Sequence, residues 1–263
     1  MQPNISAGLR VTALVSVGKH PSSGRGRRAD QDARAVEIGL SLNPELLEVL
    51  HAGDVNEPSL RDYSGMGLKS MRILKQDKSS DVVPALSEYL SGESPDIILT
   101  GVRSESGESS GMLPYLLGEK LGLPVVSGVA EITSVGDQFA ELLQALPRGQ
   151  RRSIRVPLPF IASVDSAAKA ARQSAFGPAK RADLVAEDRG INILDQEMAE
   201  WSVSPAKKRP KRLKVVKAKT AADRFKAATA KASGDGGKVL RDESAAEKAK
   251  AIFDLLLEEG VIR

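Results

Sequence analysis

From Val11 onward the chain repeats one rhythm: a short apolar run, then a stretch whose apolar residues return every third or fourth position. Val11 to Val17 is the first run and reads as a strand. Asp30 to Leu42, DQDARAVEIGLSL, places Ala35, Ile38 and Leu42 on one helical face. Glu45 to Ala52 returns to strand character, Ser59 to Gly67 is helical, and Met71 to Leu74 is a short strand. Asp81 to Leu90 follows as a helix capped by Ser80 or Asp81, and Asp96 to Thr100 as the next strand. A further helical pattern begins near Ser109. Such alternation demands right-handed crossovers, and so an α/β fold built on a parallel sheet with helices on both faces.

After Pro124 the rhythm shortens. Alternating runs separated by Gly-Asp and Pro-Arg-Gly turns leave no room for crossover helices, so these strands pair locally and extend the sheet with an antiparallel part. From Asp165 to about Trp201 the composition turns small and polar, and from Pro205 to Gly237 it is rich in Lys, Ala and Pro. This reads as a linker or arm rather than a second core. Periodicity returns at the end. Ser244 and Glu247 form a capping box, Gly260 sits as a C′ residue, and Ala245, Ala249, Ile252, Phe253 and Leu256 make an apolar stripe. A helix this short, beyond a long polar arm, is expected to dock on something. The expected division is an α/β domain over 1–164, a partner-recognition region over 165–204, a basic arm over 205–243 and a docking helix over 244–263.

Composition sharpens the picture. Only nine of 263 residues are aromatic, so the core must be Val, Ile, Leu and Ala, as buried parallel strands are. With no cysteine, disulfides, thiolate metal sites and thiol nucleophiles are excluded. The first apolar run is too short and wrongly flanked for a signal peptide, and no stretch approaches a membrane span, which predicts a cytoplasmic protein. The net charge of +4 is uneven: eleven Lys/Arg stand against one Asp between Lys207 and Lys231, leaving the rest acidic. That basic segment opens an alternative reading, an α/β protein that binds nucleic acid through its arm. Phe225 is the arm's lone aromatic, however, so base stacking would be poor and no nucleic acid is expected.

The chemistry concentrates between Thr100 and Gly111, just past an apolar strand. Ligands of open α/β sheets sit there, facing helix N-termini. Gly101, Gly107 and Gly111 let the backbone approach a ligand, and Ser109 and Ser110 offer hydroxyls. The same residues also satisfy the demands of an ordinary N-cap. Neither a Walker A loop nor a dinucleotide fingerprint is present. No catalytic pair, metal cluster or nucleophile beside a base stands out.

In order, these segments resemble the electron-transfer flavoprotein β subunit along nearly the whole chain. VSVGKHP resembles the family's first strand and its exit, and DARAVEIGL resembles a DxxAVEEA helix, with Asp32, Ala35, Val36 and Glu37 matching. LRDYSGMGLKSM aligns Met66 and Gly67 with LRxALAMGADRA, and PDIILTG is similar to PDLVLLG. RRSIRVPLPFIAS resembles the ETVRLKLPAVVT strand, and ARQSAFGPAKRA the PRYATLPNIMKA loop by which the family recognises dehydrogenases.

The resemblance implies a Rossmann-like sheet and an electron carrier rather than an enzyme. A primary dehydrogenase reduces FAD held mainly by an α subunit, and the electrons pass to a quinone oxidoreductase. It implies that Gly101, Gly107, Ser109, Ser110 and Gly111 hold a nucleotide phosphate, usually that of AMP. It further places Lys19, His20, Pro21 and Asp32 near the flavin, and partner contacts at Arg172, Phe176, Gly177, Pro178 and Lys180, with Phe176 projecting from a flexible loop. The sequence departs from the family in a shorter phosphate loop, in Glu108 where Asn is usual, in RGQRR for DGGLE, and in Gln173 and Phe176 for Tyr and Leu. Those changes suit a divergent member with its own dehydrogenase.

Overall fold

The computed structural model describes residues 4–5, 8–202, 204, 220–222, 225 and 240–258. The chain divides into two units, Met1–Trp201 and Ser202–Arg263. Strands of the first unit are β1 (Asn4–Ile5), β2 (Val11–Leu14), β3 (Val17–Lys19), β4 (Gly26–Arg28), β5 (Leu47–Gly53), β6 (Ser70–Lys75), β7 (Ile97–Gly101), β8 (Val125–Val135), β9 (Phe139–Ala145), β10 (Arg151–Pro157), β11 (Phe160–Val164) and β12 (Asp183–Glu187). Its helices are α1 (Asp30–Leu42), α2 (Arg61–Ser64), α3 (Val82–Glu93), α4 (Leu113–Leu121), α5 (Phe176–Arg181) and α6 (Gln196–Glu200).

Ten of the strands form one sheet in the order β10-β9-β8-β11-β7-β2-β5-β6-β12, with β1 beside β8. From β8 to β12 every pairing is parallel, and β8, β9 and β10 are joined antiparallel, as the change of rhythm after Pro124 predicts. The central strands β2, β7 and β11 are buried at every position because successive residues feed opposite cores. Ala13, Leu99 and Ala162 pack with Ala33 and Val36 of α1 and Tyr63 of α2. Leu14, Ile98 and Ile161 pack with Leu86 and Tyr89 of α3 and Leu117 of α4. Both faces are therefore covered by helices. The chain steps from β2 to β5 to β6, then returns through α3 to β7 on the far side of β2. Strand order thus reverses between β2 and β7, where such sheets open a crevice.

Helix α1 matches the expected bounds, and Asp81 rather than Ser80 caps α3, accepting from the Val83 amide at 2.9 Å. Elsewhere the structure differs. Val11 to Val17 is not one strand: Asp32 takes the Ser16 amide, the chain leaves the sheet, and β3 pairs with β4 in a separate hairpin. The helical stretch Ser59 to Gly67 is a 3-10 turn at Pro58–Leu60 followed by the single turn of α2. The helix expected near Ser109 begins at Leu113, because Gly107, Ser109 and Gly111 all have positive φ and interrupt helical winding. The polar stretch after Asp165 contains β12, which pairs in register with β6 along its whole length. At the other edge β10 exposes Arg151, Arg152 and Arg155.

In the second unit Ala245–Glu258 is a helix. Its capping box forms as expected, the Ser244 amide donating to Glu247 Oε2 at 2.9 Å and the Glu247 amide to Ser244 Oγ at 3.4 Å. Ile252 and Phe253 are exposed. Gly260 and most of the basic segment Lys207 to Lys231 lie outside the described residues. No described helix is long and apolar enough to cross a membrane.

Candidate functional site

At the carboxyl ends of β2, β5 and β7 lies a cavity of about 310 Å³. Its two ends differ. One is the loop Val102–Met112 that follows β7, and the other is an apolar wall of Leu50, Ala52, Val82, Val83, Leu86 and Met198. The loop follows β7 and Leu50 and Ala52 belong to β5, two positions away in the sheet or about 10 Å, while α3 and α6 supply the rest of the wall.

Between the two ends sits Asp32 in the first turn of α1. Its Oδ2 accepts from the Ser16 amide at 2.8 Å and the Ser16 hydroxyl at 2.6 Å. Burial pushes its pKa from 3.8 up to about 6; hydrogen bonds from Ser16 and from the Gly101 amide oppose that rise, and nearby Glu105 adds to it. Gly101 is required because a Cβ there would overlap the Asp32 carboxylate. Ser16 is held from behind as well: its carbonyl accepts from the Tyr63 hydroxyl at 2.8 Å, and that hydroxyl accepts from the Ala29 amide at 2.9 Å. On β5, the His51 ring sits against the Val15 carbonyl, Nδ1 at 2.8 Å, so Nδ1 carries the proton. Burial holds its pKa below the ordinary value, leaving a neutral ring.

The loop is shaped from within. Ser104 Oγ donates to the Ser106 carbonyl, Ser109 Oγ to the Ser104 carbonyl, and Ser106 Oγ to the Val17 carbonyl of β3. The Val102 amide donates to Gln31 Oε1 at 3.1 Å and the Met112 amide to Ser110 Oγ at 3.2 Å. Between them, no backbone amide from Arg103 to Gly111 donates to a protein acceptor among the described residues. Gly111, at φ 77°, also passes so close to the Val102 carbonyl that a Cβ would stand 2.7 Å from its oxygen. Free amides on a loop bent by left-handed residues suit an anion such as a phosphate. Glu108 is exposed, and no ion pair joins it to Arg103 among the described residues.

Of the residues expected near a cofactor, Gly101, Gly107, Ser109, Ser110, Gly111 and Asp32 line this one cavity. Lys19, His20 and Pro21 do not; they belong to the β3–β4 hairpin beside the loop. His20 Nδ1 accepts from the Ser22 and Ser23 amides at 3.3 and 3.2 Å, which organises that turn. Sequence reasoning missed Ser16, Glu105, His51 and Met198. Only His51 carried any signal, as one of two histidines. No cluster of His, Asp and Glu fit for a metal occurs among the described residues.

The residues expected to meet a partner gather on and before α5, away from the cavity lining. Phe176 is 82% exposed. The surrounding loop, expected to be flexible, is tied down. The Ala175 amide donates to the Gly65 carbonyl at 2.9 Å, and Arg61 Nη1 reaches the Ala179 and Ala182 carbonyls at 3.0 and 3.3 Å. Arg172 clamps Glu37 of α1, Nε to Oε2 at 2.7 Å. Burial would raise the Glu37 pKa, but the Arg172 hydrogen bonds and charge outweigh it and hold the carboxyl below its ordinary value. Gly177, Pro178 and Lys180 lie on the same short helix.

The model of the electron transfer flavoprotein domain matches residues 22–189. A protein of Chromohalobacter salexigens named electron transfer flavoprotein subunit beta is 53% identical over 268 residues, covering all of both chains. One of the same name from Syntrophomonas wolfei is 27% identical over 215 residues, covering 67% of this chain and 83% of its own.

Proposed function

Because the chain belongs to the electron transfer flavoprotein β-subunit family, we propose that it pairs with an α subunit as a cytoplasmic electron carrier. It takes electrons from a primary dehydrogenase and delivers them to a quinone-linked oxidoreductase. FAD, held mainly by the α subunit, supplies the redox chemistry. The β chain binds, orients and docks.

In this reading the cavity beneath the loop Val102–Met112 holds a nucleotide, AMP, with its phosphate on the free amides up to Gly111 and its base against Leu50, Val82 and Met198. The observation that carries the assignment is the pairing of an amide-lined loop with an apolar wall at the crevice of the sheet. Lys19, His20 and Pro21, on a hairpin fastened to that loop, face the flavin side. The region after residue 164 serves partners: 165–204 presents Phe176 with Arg172, Gly177, Pro178 and Lys180, and 205–263 reaches the α subunit.

Co-purification with the α subunit, followed by denaturation and mass spectrometry, is expected to release FAD and AMP. The flavin absorbance should bleach when a dehydrogenase and its substrate are added. A colourless chain that recruits no partner would overturn the proposal.

Phe176→Ala is expected to slow flavin reduction by the dehydrogenase roughly tenfold or more, as loss of an interface anchor does. Since the side chain is 82% exposed, the melting temperature should not move. An unchanged reduction rate at limiting carrier would remove Phe176 from the docking surface.

A further inference from the structure

Helix α1 begins without a cap of its own: Ala29 occupies the N-cap position and has no side chain to offer. The free amide of Asp30 is met instead from 75 residues away, by Glu105 Oε1 at 3.1 Å. The same carboxylate accepts from the Lys19 amide of β3 at 3.2 Å and from Arg27 Nη2 of β4 at 3.0 Å. One side chain thus gathers the start of α1, both strands of the hairpin and the middle of the Val102–Met112 loop. Gly18 makes room for it, since a Cβ there would stand 2.7 Å from Glu105 Oε2.

We infer that Glu105 is a positioning residue: a carboxylate built into the loop that occupies the positive end of α1 and thereby holds the loop's free amides in their anion-binding shape. The inference rests on the nucleotide reading of the cavity. It makes a counterintuitive demand, because a negative charge near a phosphate ordinarily weakens its binding. Here the charge is already balanced by Arg27, two amides and the helix end, so its removal loosens the loop more than it relieves repulsion. Glu108 is the contrast, an exposed carboxylate in the same loop with no such anchors among the described residues.

The test titrates the full chain with AMP and with adenosine, comparing wild type, Glu105→Gln and Glu108→Gln. Glu105→Gln is expected to weaken AMP binding about tenfold, roughly the loss of one charge-assisted contact, and to leave adenosine binding unchanged. Glu108→Gln should tighten AMP binding or leave it alone. Equal or tighter AMP binding by Glu105→Gln overturns the inference, as does a parallel loss of adenosine or an equal loss in Glu108→Gln. Amide exchange on the wild-type chain needs no variant: the Lys19 and Asp30 amides should be protected, and rapid exchange of both would also overturn it. Wild type that binds no AMP would sink the nucleotide reading and this inference with it, whereas wild-type binding with an indifferent Glu105→Gln sinks this inference alone.

Discussion

Tyr63→Phe is expected to destabilise the first unit by about 3 kcal/mol, from one buried and one half-buried polar group losing their partner at about 1–3 kcal/mol each. The hydroxyl of Tyr63, a fully buried residue, bridges the Ala29 amide at the start of α1 and the Ser16 carbonyl where β2 leaves the sheet. Phenylalanine fills the same volume, so no cavity is created and the change isolates the hydrogen bonds. The effect should reach the site, because the amide and hydroxyl of Ser16 hold Asp32. Urea unfolding read by circular dichroism measures it: the midpoint should fall with the slope unchanged. Tyr115→Phe is the control, a 45% exposed tyrosine whose loss should cost nothing. A loss below about 1 kcal/mol for Tyr63→Phe would mean the strand exit is held by other contacts.

The second large effect is a pH dependence. Asp32 has a carboxyl pKa raised from 3.8 to about 6 by burial, so between those values the native chain keeps a proton that the unfolded chain has released. Stability from this group is therefore full below about pH 4, falls as pH rises toward about 6, and stays reduced above it, a total of about 3 kcal/mol. The Glu37 carboxyl works in the opposite direction, with a lowered pKa whose contribution is lost in acid. The Asp32 share is best isolated by difference. Asp32→Asn should lack the fall, so its stability relative to wild type should improve by about 3 kcal/mol between about pH 4 and pH 7. Parallel urea curves for the two proteins at both pH values would show that Asp32 titrates normally.

Local pattern carried much of the fold. The bounds of α1 were legible because Asp30 and Asp32 open it and Ala35, Ile38 and Leu42 recur at helical spacing. The change to antiparallel pairing after Pro124 followed from runs too closely spaced for crossovers. β12 was not legible: Asp183 to Glu187 is polar at both ends, and its pairing partner β6 lies far away in sequence. The sequence pattern starts α4 too early because Ser109 looks like a cap, whereas its backbone is left-handed. In the candidate site, glycine and serine marked the loop, since those residue types answer a local backbone need. Glu105 was invisible for the converse reason: everything it binds arrives from segments brought beside it by folding. The tying of α5 to α2, and of Arg172 before it to α1, was hidden likewise, because Arg61 and Glu37 find their partners 118 to 135 residues away.

The arginines along β10 also affect how copies of this chain meet. A sheet that ends in an open strand invites a like strand to add to it, and repetition of that step builds fibres. Two such borders brought together would set cation against cation across the new seam, which is unfavourable at close range. Concentrated salt, by screening those charges, would lift that protection. Storage at low ionic strength is therefore the condition in which the chain is expected to stay dispersed.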